Sequence, residues 1–247
     1  RSSDLAVGVM LPYTPLHALL LAETGGPVVM TSGNPSDEPL CCDNDEALHR
    51  LAPLADAFCL HDRPIHRPID DSVLTAATGT APEGETERIL VPIRRARGYV
   101  PRPIVVPVSA AEAVLAVGGE MKSVTCILRG NQAVLSEHLG ELPNAAAYRN
   151  FLAAIDRLTD LLAVRPGVVA CDAHPGYTAT RYAESLGLPM VKVQHHHAHL
   201  ASCLAENGLA GPAIGVCCDG AGLGPDGQVW GGEILFGDLG RFRRVGH

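Results

Sequence analysis

Val193-Gln194-His195-His196-His197-Ala198-His199-Leu200 places four histidines within five positions. The stretch follows a short apolar run, Met190 to Val193. It opens a segment, Leu200 to Asn207, that reads as a helix stopped by Gly208. On a helix His195 and His199 stand at i and i+4, so their rings share one face about a turn apart. Two imidazoles on one helical face make half of a divalent metal site. The plain alternative is a solvated polar helix start. Four buried rings without a ligand are costly, because each needs hydrogen-bond partners.

Two histidines do not close a site. Downstream, Ala213 to Cys218 reads as a buried strand that runs into Asp219-Gly220-Ala221-Gly222-Leu223-Gly224-Pro225-Asp226-Gly227. Asp219 stands at the C-terminal end of that strand, where open α/β sheets bind their ligands. Gly220, Gly222 and Gly224 let backbone N–H groups approach an anion closely. Val229 to Phe236 resumes a strand, so the glycine segment is the tip of a hairpin. Many such hairpins are ordinary turns. Directly after a His-x-x-x-His helix, this one is a much stronger signal, and Asp219 is its candidate for a third ligand.

The chain has 247 residues, 47% hydrophobic and 19% charged, which suffices for a real core and for two domains. A net charge of −8 without a basic stripe disfavours nucleic acid as the main partner. No run of 18 apolar residues or signal-peptide pattern occurs, so no membrane partner and a cytoplasmic location are expected. Eight cysteines occur without a C-x-x-C, and five of them, Cys126, Cys171, Cys203, Cys217 and Cys218, lie in apolar patterns. They read as reduced, buried thiols rather than a disulfide frame or a zinc ribbon. The chain starts at Arg1 and stops just after a hairpin, so a longer polypeptide is expected.

In chain order, Leu5 to Leu11 reads as a strand. A helix then starts at Thr14-Pro15, with Leu16, Leu19 and Leu20 as its apolar face and Gly25-Gly26 at its end. Pro27 to Met30 reads as a strand entering the polar turn Thr31 to Ser36. That turn suits phosphate or nucleotide oxygens, or is an ordinary Asx/Ser turn. A short helix, Asn44 to Leu51, has Asp43 as its cap. Ala57 to Leu60 reads as a strand, and Thr78 to Glu87 as an exposed loop. Arg94, Arg95 and Arg97 beside Gly98 and Tyr99 grip a phosphate or are surface charge. Pro101 to Pro107 holds three prolines in seven residues, and 106–111 reads as a linker between domains 1–105 and 112–247. Beyond it a strand, Val114 to Val117, leads to a hairpin across Arg129-Gly130-Asn131 and a long helix capped by Asn144. Then come strand 168–172, helix 178–186, strand 190–193 and the histidine helix. This alternation predicts α/β with a largely parallel sheet.

Together these motifs resemble the HypF carbamoyltransferases of nickel–iron hydrogenase maturation. Thr31-Ser32-Gly33-Asn34-Pro35-Ser36-Asp37-Glu38-Pro39 carries part of the likeness. So do His61-Asp62-Arg63-Pro64 with Arg67, Asp70 to Val73, and Arg94 to Pro101. These look like the later part of a YrdC-like α/β domain. The histidine stretch, the segment from Asp219 to Gly227, and Trp230-Gly231-Gly232-Glu233 look like the first subdomain of a TsaD-like domain of the actin/hexokinase fold.

The resemblance implies ATP and carbamoyl phosphate as substrates, Mg with the nucleotide, and a divalent metal, iron or zinc. It implies carbamoyl-adenylate formation and transfer to the C-terminal cysteine of the partner HypE. His195, His199 and Asp219 match the metal ligands. Ser32 and Asn34 match the nucleotide-contacting turn, and Arg67, Arg95, Gly220, Gly222 and Gly224 are assigned to cofactor binding. The family's acylphosphatase domain, zinc fingers and outer halves of the two catalytic domains are not matched here. This stretch by itself is therefore expected not to complete the reaction. The alternatives are a tRNA threonylcarbamoylation enzyme and a non-catalytic metal-binding module.

Overall fold

Helix α1 (Pro15–Thr24) begins where its chemistry dictates. Thr14 is extended and accepts a hydrogen bond from the His17 N–H, Pro15 sits where no N–H partner is needed, and Gly25 closes the helix at φ 69°. The computed structural model describes residues 7–35, 38–80 and 86–247, in two compact units, 1–32 and 33–247. In the first unit the expected apolar face of α1 is exposed, with Leu16, Leu19 and Leu20 all open. The strands expected over Leu5 to Leu11 and Pro27 to Met30 do not form at 7–11 or 27–30, and residues 5 and 6 lie outside the described residues. A short apolar run makes a strand only when a partner strand is there to pair with it.

The second unit opens with α2 (Asn44–Leu51), capped by Asp43, whose carboxylate accepts from the Glu46 N–H. Ala57 to Leu60 is not a strand. Instead β1 (Val73–Thr80) pairs antiparallel with β2 (Thr86–Arg94). Much of the stretch read as an exposed loop is therefore ladder, and residues 81–85 lie outside the described residues. Val91-Pro92-Ile93 belongs to β2.

The stretch 106–111 is strand, not linker. β3 (Ile104–Ala116) runs through it and pairs antiparallel with β4 (Cys126–Leu135), with register breaks on either side of Ala110. The breaks fit Pro107, which has no N–H to give the ladder. No hairpin turns at Arg129-Gly130-Asn131, because Gly130 sits inside β4 at φ 58°, opposite Ala110. An irregular site within one long strand resembles a turn in sequence, since both call for glycine.

Helix α3 (Ala145–Leu162) is capped by Asn144, which accepts from two backbone N–H groups, and buries Phe151, Ala154, Ile155 and Leu158. β5 (Val168–Asp172), α4 (Thr178–Ser185), β6 (Met190–Val193) and α5 (His195–Glu206) follow as the periodicity predicts. The four-stranded sheet has the order β4-β3-β5-β6, with β3, β5 and β6 parallel and β4 antiparallel. β7 (Ala213–Cys217) leads into the glycine hairpin. There β8 (Gly222–Leu223) pairs with β9 (Val229–Trp230). β10 (Glu233–Gly237) and β11 (Phe242–Gly246) complete a second, antiparallel sheet, β11-β10-β7. The expected largely parallel sheet is thus mixed, and a separate antiparallel sheet stands beside it.

One core joins β3, β4 and β5 to α3 and α4 around Phe151, Ile127 and Val169. A second joins Leu200 and Leu204 of α5 to Leu235, Cys217 and Trp230. Of the five cysteines expected to be buried, Cys171 and Cys217 are, whereas Cys126 is partly exposed and Cys203 and Cys218 are open. α5 lies against β3 of one sheet and against β7 and β10 of the other. Its N-terminus therefore stands where the ends of both sheets meet.

Candidate metal centre

Gln194 starts α5 and fixes how the histidines are dealt out. Its Oε1 accepts from the His197 N–H at 2.9 Å, which caps the helix. Its Nε2 lies 3.1 Å from Nδ1 of His196 and donates to the Leu223 carbonyl at 3.3 Å. One side chain thus ties the helix start to the glycine hairpin. His196 is fully buried, and its Nε2 has no partner among the described residues. His197 is also buried, bonded through Nε2 to the Asp238 carbonyl at 2.9 Å and stacked on Phe242 at 4.7 Å.

His195 and His199 remain on the open face, with ring centroids 4.9 Å apart. Asp219, two residues past β7, turns Oδ2 toward both. It stands 3.0 Å from His195 Nε2 and 3.9 Å from His199 Nε2. The three ligand atoms all lie within 4.8 Å of one another. Two neutral imidazole nitrogens and one carboxylate oxygen are a donor set that borderline divalent metals accept, with coordination positions left open. The residues present fit such an ion.

The first-coming carboxylate is one that the sequence reading passed over. Asp172 ends β5, and its Oδ2 lies 2.6 Å from His195 Nδ1. Its Oδ1 accepts from the His174 N–H at 2.8 Å. β5 and β6 are parallel neighbours with Asp172 opposite Val193, so an acid ending one strand meets the residue that starts the helix after the next. The available signal was the acid at a strand's C-terminal end, the same signal that singled out Asp219. The bond to Asp172 is the main cause that holds the His195 ring above the ordinary histidine range. Burial, then the neighbouring His195 ring, pushes His199 below it.

Two of the hairpin glycines are required by close packing. A Cβ on Gly222 would meet the His195 Cβ and the His196 ring, and one on Gly224 would run into Trp230 and Asp226. The Gly224 N–H donates to the Gln228 carbonyl at 2.8 Å, so it is used inside the hairpin. Around Gly220 a Cβ would meet nothing within 4 Å. Behind the hairpin, fully buried Glu233 accepts from Arg244 at 2.5 and 2.7 Å and from the Gly231 N–H at 3.0 Å. Arg244 also covers the Trp230 ring at 4.5 Å.

The residues assigned to nucleotide divide between the two units. Ser32 is exposed in the first unit. In the second, Asn34 donates to the carbonyls of Pro35 and Glu38 at 2.9 and 2.8 Å, and its buried Oδ1 has no partner among the described residues. Ser36 lies outside the described residues. Arg67 stands 3.5 Å from buried Glu137, which also takes Arg157 at 2.5 Å. Arg95 pairs with Glu206 at the end of α5. Neither arginine is gathered to His195, His199 and Asp219 by any of these contacts.

Comparison with known proteins accounts for both parts of the chain. Residues 109–206 match the HypF Kae1-like domain, and residues 215–247 the second subdomain of the carbamoyltransferase Kae1-like domain. Residues 2–84 match the Sua5/YciO/YrdC family, described as telomere recombination. Carbamoyltransferase HypF2 of Cupriavidus necator is 47% identical over 98% of this chain and 31% of its own length. The crystal structure of full-length HypF in its phosphate- and nucleotide-bound form superposes with a TM-score of 0.89. It is 48% identical, over 97% of this chain and 36% of that one. HypF of T. kodakarensis gives a TM-score of 0.85 at 34% identity, over 98% of this chain and 31% of that one. The chain spans about a third of the length of these relatives. Over that third, in which a YrdC-like part precedes a Kae1-like part, it belongs to the HypF carbamoyltransferase family.

Proposed function

We propose that this chain serves an ATP-dependent carbamoyl transfer in nickel–iron hydrogenase maturation. In this reading carbamoyl phosphate is first hydrolysed to carbamate and phosphate in the family's acylphosphatase domain, and the YrdC-like part then joins carbamate to ATP, giving carbamoyl-adenylate and pyrophosphate. The Kae1-like part then passes the carbamoyl group to the C-terminal cysteine of HypE. The observation that carries it is the meeting of His195, His199 and Asp219 at the strand ends of a chain whose relatives are named carbamoyltransferases. A relative with bound nucleotide supports ATP as substrate.

Carbamoyl-adenylate is a mixed anhydride. Attack by the acceptor thiolate forms a carbon–sulfur bond, the bond from the carbonyl carbon to the AMP oxygen breaks, and AMP leaves with the electron pair. The carbonyl oxygen gains negative charge on the way. A divalent ion held by His195, His199 and Asp219 would supply Lewis-acid and phosphate-neutralising chemistry there. The chain's own residues hold that ligand set in place: Gln194 anchors the helix start, Glu233 and Arg244 brace the hairpin, and Asp172 bears on His195. No side chain of this stretch need act as a nucleophile, because the thiol comes from the acceptor.

The test is carbamoylation of HypE by the full-length protein with carbamoyl phosphate and ATP, read by mass spectrometry of the acceptor's terminal cysteine. Transfer that is lost in His199→Ala is expected. Undiminished transfer in that variant would overturn the assignment of the site.

A further inference from the structure

We propose that Asp172 is the positioning residue of this site: it fixes the His195 ring so that Nε2, not Nδ1, faces Asp219 and His199. The inference rests on the metal reading above and goes beyond it. Three observations carry it. First, the Oδ2–Nδ1 separation of 2.6 Å is that of a charge-assisted hydrogen bond, and it requires the proton on Nδ1. With the proton there, a neutral ring has its lone pair on Nε2, the atom that faces Asp219 at 3.0 Å and that a metal would take up; without a metal, that contact needs a proton on Nε2 as well. Second, Asp172 is itself fixed. Its side chain is 6% exposed, and its other oxygen accepts from the His174 N–H at 2.8 Å. Third, the pairing is specific to one ligand. His199 Nε2 also looks to Asp219, but none of the polar contacts described for His199 gives its Nδ1 a carboxylate partner. The two metal-facing rings are thus held differently, one by a buried acid and one only by the helix.

Asp172→Asn separates this role from a structural one. The amide oxygen can still accept from the His174 N–H, whereas the amide nitrogen cannot accept from Nδ1. Zn²⁺ affinity is measured by titration calorimetry on the metal-free full chain of four forms: unmodified, Asp172→Asn, His195→Ala and the double variant. Asp172→Asn is expected to weaken Zn²⁺ binding by about 10–100-fold. The double variant is expected to bind no more weakly than His195→Ala alone, because Asp172 acts only through that ring. Unchanged affinity in Asp172→Asn, or a further full loss in the double variant, would overturn the proposal.

A second measurement keeps the two readings apart. Nitrogen-15 histidine spectra of the metal-free chain report the tautomer of His195. Nδ1–H is expected whether or not zinc binds. If the unmodified chain takes up no zinc, the metal reading fails and the tautomer alone decides the role of Asp172, as it does if Asp172→Asn fails to fold. A proton on Nε2 of neutral His195 would overturn it.

Discussion

Gly222 lies so close to His196 that a Cβ on it would stand 2.8 Å from Cε1 and 2.9 Å from Nδ1 of that ring. The hairpin and the histidine helix can approach this far only because no side chain intervenes. Gly222→Ala is therefore expected to cost about 1–3 kcal/mol of stability and to lower metal content, since it pushes on His195 and His196 together. Gly220→Ala, with nothing within 4 Å of its Cβ, is expected to leave stability nearly unchanged. Thermal unfolding and metal analysis of the two variants check this. Equal effects would show that contact with the histidines is not what requires glycine.

The four histidines are not equivalent. His195→Ala and His199→Ala are expected to remove most of the metal. His197→Ala is expected to keep it and to lose about 1–3 kcal/mol of stability, because its ring packs on Phe242 and bonds the Asp238 carbonyl. Metal content of the purified full-length variants is the measurement. Equal loss in all of them would refute the division of the cluster.

Ser32 and Asn34 are proposed nucleotide contacts, and they differ as test sites. Ser32 is exposed, so Ser32→Ala is expected to leave stability alone. Loss of a hydrogen bond to a charged group is expected to reduce carbamoyl phosphate-dependent ATP–pyrophosphate exchange about tenfold or more. Asn34→Ala also removes the bonds to Pro35 and Glu38, so it is expected to lower both exchange and stability. Exchange at the unmodified rate in Ser32→Ala would leave that residue an ordinary turn position.

Glu233 gives a pH dependence with a definite sign. The Arg244 hydrogen bonds hold its carboxyl below the ordinary value of 4.5. A depressed carboxyl contributes stability above its unfolded value, and that contribution is lost as pH falls through the folded one. Denaturant midpoints of the unmodified chain should therefore drop as the pH falls below 4.5. Glu233→Gln should start lower at neutral pH and drop less over the same range. Parallel curves would refute the assignment.

We propose that the YrdC-like and Kae1-like parts meet just before Ile104, where β3 begins. Residues 106–111 lie inside β3, where Ala110 pairs with Gly130, and the pairs Arg67–Glu137 and Arg95–Glu206 cross the boundary. Limited proteolysis of the full-length protein should therefore spare 104–116. A first nick within 106–111 would restore the linker reading.

How far the sequence reaches depends on the range of the interaction concerned. Helix starts need only a few neighbouring residues, so Thr14, Asp43, Asn144 and the stop at Gly208 were legible directly. The i, i+4 spacing of His195 and His199, and the acid just past β7, were legible for the same reason. Strand pairing joins residues far apart in the chain. That is why Pro27 to Met30 and Ala57 to Leu60 stayed unpaired, while 106–111, Pro107 included, was drawn into β3. Only the tertiary structure brought Asp172 to His195 and Glu137 to Arg67, since parallel neighbours and ion pairs across 23 and 70 positions leave no local periodicity. The sequence by itself determined which side chains the site has to draw on. The packing of α5 between two sheets decided which of them meet.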